Sequence, residues 1–62
     1  MCDIDVFVVK DGGEVKIMEN VDRVEATEDG LKIQNIFGEQ QTLQGRLFLY
    51  DNSLKKMVFR AA

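Results

Sequence analysis

Alternation of apolar and polar residues, cut repeatedly by turn signals, most limits what this chain can fold into. Residues two apart share one face of an extended strand. "CDIDVFVVK" sets Cys2, Ile4, Val6 and Val8 on one face and Asp3, Asp5, Phe7 and Val9 on the other. The second face starts polar and ends apolar, so this strand begins at a rim and runs into a place covered on both sides. Asp11, Gly12 and Gly13 then predict a tight hairpin, because glycine takes positive φ at no steric cost. "EVKIM" puts Val15 and Ile17 inward and Glu14 and Lys16 outward. Val21 and Val24 break strict alternation, which predicts a bulge or strand restart near Asp22 and Arg23. Glu28, Asp29 and Gly30 form a second hairpin signal. "LKIQNIF" alternates at Leu31 and Ile33 and slips by one before Ile36.

The remainder follows the same rhythm. "GEQQ" at 38–41 reads as a turn, and "TLQG" as a short strand ended by Gly45. "RLFLY", Arg46 to Tyr50, is apolar nearly throughout, a sign of burial on both faces or of an interface. "DNS" at 51–53 turns the chain, and "LKKMVFR" closes it with Leu54, Met57 and Phe59. No stretch carries a helical period. The reading is all-β: one domain, 1–62, built as a small antiparallel barrel or half-barrel of six to seven short strands, of SH3-like, Sm-like or OB-like size.

Size adds a second constraint. A chain of 62 residues buries only about 60% of its unfolded surface. Its core supplies roughly 3–5 kcal/mol, and small domains usually add a disulfide, a metal or a partner subunit. One cysteine allows no disulfide within the chain. A homodimer is therefore expected, with "RLFLY" as the candidate contact surface.

Charge and residue inventory narrow the function. The formal net charge is −3 and the sequence pI is near 4.7. The densest basic cluster is Lys55, Lys56 and Arg60. Nucleic-acid affinity comes largely from Lys and Arg neutralising phosphates, so that class is disfavoured. No apolar run reaches the roughly 20 residues of a membrane-spanning helix. The start has no basic and apolar leader, so a cytoplasmic location is expected, and the lone thiol agrees with it. With no histidine, Cys–His and Ser–His pairs do not exist. Thr27 and Ser53 sit beside turns, where local hydrogen bonds occupy them. Glu14, Glu19, Asp22, Glu25, Glu28 and Asp29 read as a solvated face. The glycines read as turn glycines, not a phosphate loop. No enzyme activity is expected.

Cys2 remains, and it has two readings. A free cysteine is commonly a small buried hydrophobe, and the Ile4–Val6–Val8 face suits that. A thiolate beside main-chain nitrogens is also a metal donor, more so if removal of Met1 frees an α-amine. Sulfur plus nitrogen suits square-planar Ni(II) or Cu(II), and soft thiolate also suits Cu(I) and Zn. One cysteine supplies too few ligands; two copies across a twofold axis would supply two sulfurs and two nitrogens. Asp3 and Asp5 read as solvated rim residues before they read as ligands.

The start and the strand rhythm together resemble one family. "MC" opens the chain, followed by an apolar strand, a glycine turn, "VDRV", "EDG", "LKIQNIFGE" and a short apolar C-terminal strand. This combination is similar to the CooT family of small nickel-binding proteins, accessory factors in maturing the nickel-containing carbon monoxide dehydrogenase. The resemblance implies a β-barrel-like homodimer. It implies one Ni(II) at the dimer interface, held by Cys2 of both subunits with backbone nitrogen, for delivery or storage, with the nickel enzyme as client. Only Cys2 carries over as a site residue. The family has also been labelled RNA-binding, against which the acidic pI and missing basic–aromatic stripe argue here. The alternative is a small interaction module with no metal role.

Overall fold

The computed structural model describes residues 3–62, so expectations for Met1 and Cys2 lie outside the described residues. Six strands form: β1 Ile4–Lys10, β2 Gly13–Thr27, β3 Gly30–Asn35, β4 Gln40–Leu43, β5 Gly45–Asp51 and β6 Lys56–Ala61. All belong to one sheet, ordered β4-β3-β2-β1-β6-β5, and it curls into a half-barrel. Among the described residues there is no helix. The all-β expectation holds, with one difference: β1 and β6 run parallel. A parallel neighbour arises because the β5–β6 hairpin crosses over to the far side of β1 instead of extending the meander beyond β4.

The turns follow their residues. Asp11 and Gly12 have φ of 53° and 81°, so both central residues of the first hairpin are left-handed, as Asp-Gly favours. At the second, Thr27 Oγ1 donates to the Gly30 carbonyl at 3.0 Å and accepts from the Asp29 N–H at 3.2 Å. The third turn falls at 36–39, earlier than the 38–41 reading; Gln40 and Gln41 already belong to β4, and Ile36 lies beyond the end of β3. Leu54 does not help close the last strand. It sits in the β5–β6 turn, 67% exposed, because β6 begins at Lys56.

Curvature comes from β2, whose fifteen residues serve two partners. Residues 13–21 pair with β1 and residues 21–27 with β3. The register with β1 slips between Val6 and Phe7, which lets Ile17 and Met18 both reach the core. Asn20 has φ of 55°, and the register with β3 slips between Val21 and Arg23, where the sequence predicts a bulge. Val15 is a correction. It pairs with Val8 near the hairpin end and is 49% exposed, while Met18 takes the buried place.

Closure is required by one short link. β4 and β5 lie at opposite ends of the strand order, yet only Gln44 joins them. Two residue steps span at most ~7 Å, whereas a flat six-stranded sheet would hold its edges about 24 Å apart. The two edges therefore converge at this corner. The Ala62 N–H donates to the Gln44 carbonyl at 2.9 Å, and the Gln44 amide reaches the Asp29 carbonyl. Gly45 sits here as a strand residue, not a turn glycine, since a Cβ would strike the Arg60 carbonyl oxygen.

The two faces of the sheet differ. The concave face carries the core, with Val6, Met18, Val21, Ile33 and Phe59 buried and Ile17, Leu31, Leu43 and Met57 packed against them. Cross-strand partners share a face, so Phe7, Lys16 and Val58 lie together on the convex side. Val58 is wholly buried there. Lys56 and Lys16 approach the Phe7 ring at 5.1 and 6.0 Å from its centroid. Lys56 pairs with Glu14 at 2.6 Å, and Lys16 with Glu19 at 3.1 Å and Asp5 at 3.4 Å. The Lys16 pKa is raised, chiefly by the hydrogen bonds its ammonium donates to Glu19 and then Asp5. This lattice shields Phe7 on a face that "VFVV" places in a doubly covered strand.

Candidate functional site

The concave face opens at one side into an apolar mouth. Ile4 from β1, Val21 and Val24 from β2, Tyr50 from β5 and Met57 from β6 line a depression of about 360 Å³, together with the charged residues Asp22 and Arg23 of β2. Tyr50 and Met57 are cross-strand partners, as are Ile4 and Val21. Tyr50 is 52% exposed and Val24 37%. Ile4, which lines it, is two residues from Cys2 in the sequence. Cys2 itself is outside the described residues. Among the described residues, no group of three or more Cys, Asp or Glu side chains comes together as a metal site. Asp3 is exposed, and Asp5 is engaged by Lys16.

"RLFLY" divides between the two faces. The β5–β6 register slips between Leu47 and Leu49. Leu47 and Tyr50 pair with Phe59 and Met57 on the concave side, while Leu49 pairs with Val58 on the convex side. The segment is exposed throughout, and not buried on both faces.

A second depression, of about 650 Å³ and more polar, lies between β2 and the 36–39 turn. Its floor includes Asn35, a residue that sequence reasoning passed over. Asn35 is 3% exposed. Its Oδ1 accepts from the Phe37 N–H at 3.0 Å and the Glu39 N–H at 2.9 Å, and its Nδ2 donates to Glu39 Oε1 at 2.5 Å. The Ile36 N–H donates to the Asn20 carbonyl at 3.0 Å, tying the turn to β2. All side-chain polar atoms of Asn35 are thus used internally, so it is a scaffold for the turn. The available signal was an asparagine three residues before a glycine, the pattern of an Asx-type turn.

The β5–β6 turn is held by Asp51. Its Oδ1 accepts from Ser53 Oγ at 2.7 Å and from the Leu54 N–H at 3.0 Å. These bonds, Ser53 first, hold the carboxyl below its ordinary value. A depressed acid contributes stability above its unfolded pKa, and that contribution is lost as pH falls through the folded value. Protection of the Leu54 amide, measured against its intrinsic exchange rate at each pH, is therefore expected to fall on acidification below the ordinary value of 3.8. In Asp51→Asn that acid-side step should disappear; its persistence would assign the step to another group.

The architecture defines a class: a small β half-barrel with an apolar mouth beside its first strand. The CooT family, described as CO dehydrogenase accessory protein CooT, matches residues 1–51, and the chain belongs to that family. The fold is shared with a crystal structure of a protein designated CooT from Carboxydothermus hydrogenoformans. The two are 24% identical, 98% of each chain is covered and the TM-score is 0.91. No curated protein matches the chain. Among the described residues, no helix is long and apolar enough to cross a membrane.

Proposed function

We propose that the protein binds one Ni(II) per homodimer through Cys2 of both subunits and adjacent backbone nitrogens. It delivers or stores the ion in maturation of a nickel enzyme such as carbon monoxide dehydrogenase. The observation that carries this reading is the family match, which begins at residue 1 and so includes Cys2. The half-barrel supports it in a specific way. Shared thiolates with metal–sulfur bonds of about 2.3 Å need the two sulfurs within ~4.5 Å of each other. The twofold axis must then pass close to the start of β1, where Ile4, Val24, Tyr50 and Met57 offer apolar surface. Edge-to-edge pairing of β5 would not serve, because five strand spacings, about 24 Å, would separate the two β1 strands.

The test is titration of reduced protein with Ni(II), followed by thiolate-to-nickel charge-transfer absorption and sedimentation. The expected break is at one metal per two chains. Cys2→Ser should lose the band. Val24→Asp should lower both dimer and nickel affinity tenfold or more, on the order of one buried charge. A band that survives Cys2→Ser, or one nickel per chain, would overturn the proposal.

A further inference from the structure

We propose that the free edge of β5 takes up an extended, acidic segment of another protein as an added strand, with Arg46, Phe48 and Arg60 fixing its charge and register. The two sheet edges are unlike. β4 is four polar-to-mixed residues, Gln40–Leu43. Its glutamines turn back on the sheet: Gln40 bonds Gln34, and Gln41 bonds the Ile17 carbonyl. β5 is seven residues with four consecutive exposed apolar side chains and no lysine or proline to blunt it. An edge of that kind is a template for strand addition.

Charge identifies the occupant. Arg46 and Arg60 are direct cross-strand partners on the convex side. Like charges directly opposite are unfavourable, and this chain has eleven acidic residues against eight basic. The pairs Lys56–Glu14, Lys16–Asp5 and Lys16–Glu19 nevertheless use acids elsewhere on the same side. Among the described residues no carboxylate lies within 4.0 Å of either arginine. Arg60 stacks over the exposed Phe48 ring at 4.4 Å, which orients its guanidinium beside the edge. The patch thus joins unpaired backbone groups, an aromatic platform and two free guanidiniums, features that suit a carboxylate-bearing strand. Arg46 and Arg60 lie on the convex side, opposite the concave mouth to which β5 contributes Tyr50.

The probe is a blocked peptide of alternating threonine and valine, about as long as β5, with aspartate at both ends. A lysine-ended twin and a short oligothymidylate are the comparators. Dissociation constants and amide hydrogen exchange are read on the full chain. The aspartate peptide should bind about tenfold tighter than its twin and slow exchange in β5 while leaving β4 unchanged. Arg46→Glu with Arg60→Glu should invert the preference, and the matching lysine variant should keep it. Cys2→Ser should bind the peptide normally, so this result does not depend on the nickel reading. Equal binding of both peptides, no slowing in β5, tighter binding of oligothymidylate, or protection of β5 that grows with protein concentration alone would each overturn the proposal. The last would make a second copy the occupant.

Discussion

Gly45→Ala is expected to remove most of the stability of this domain. The Cβ of any side chain at this position would collide with the carbonyl oxygen of Arg60, and the nearest atoms beyond it are also backbone. Flexible side chains cannot absorb such an overlap, so β5 must move away from β6. Gly45 pairs with Ala61, and the neighbouring Gln44 carbonyl accepts from the Ala62 N–H. Opening that rung also strains the one-residue link that joins the sheet edges. The expected cost is about 3 kcal/mol or more, similar to the net core contribution of a domain this small. Urea unfolding should show a transition shifted close to zero denaturant. Gly12→Ala is the control. Gly12 has φ of 81° with nothing within 4 Å of its virtual Cβ, so only the backbone conformation is penalised. About 1 kcal/mol is expected there. Equal losses in the two variants would show that the corner tolerates separation.

Asn35→Ala is the second large effect. It strips the acceptor from two backbone N–H groups, those of Phe37 and Glu39, at a position 3% exposed. Each unsatisfied donor that stays buried costs roughly 1–3 kcal/mol, reduced where water can enter. The neighbouring depression admits some water, so a total of about 2–3 kcal/mol is expected. Gly38, at φ of 86°, and the Gly38 N–H bond to the Asn35 carbonyl depend on the same turn. Amide exchange should therefore accelerate at Phe37, Gly38 and Glu39 before the rest of the sheet. If the stability loss came without that local acceleration, Asn35 would be acting through packing alone.

Residue pattern alone determined a good deal of this protein. The all-β class, the Asp-Gly hairpins and the irregularity near Asp22 follow from properties carried by one residue or its immediate neighbours: φ preference, alternation and turn chemistry. The N-terminal Met-Cys and the strand rhythm also pointed to the CooT family, to which the chain belongs. Tertiary structure decided what depends on distant segments. The parallel β1–β6 pair, the exposure of Val15 and Leu54, and the turn held by Asn35 arise from which strand ends meet. The same holds for the mouth, whose Ile4, Val24, Tyr50 and Met57 come from four strands. Alternation tells which side chains share a face. It does not tell how far a face extends before the sheet curls away from it, and here that curl is imposed by the single residue, Gln44, that joins the two edges.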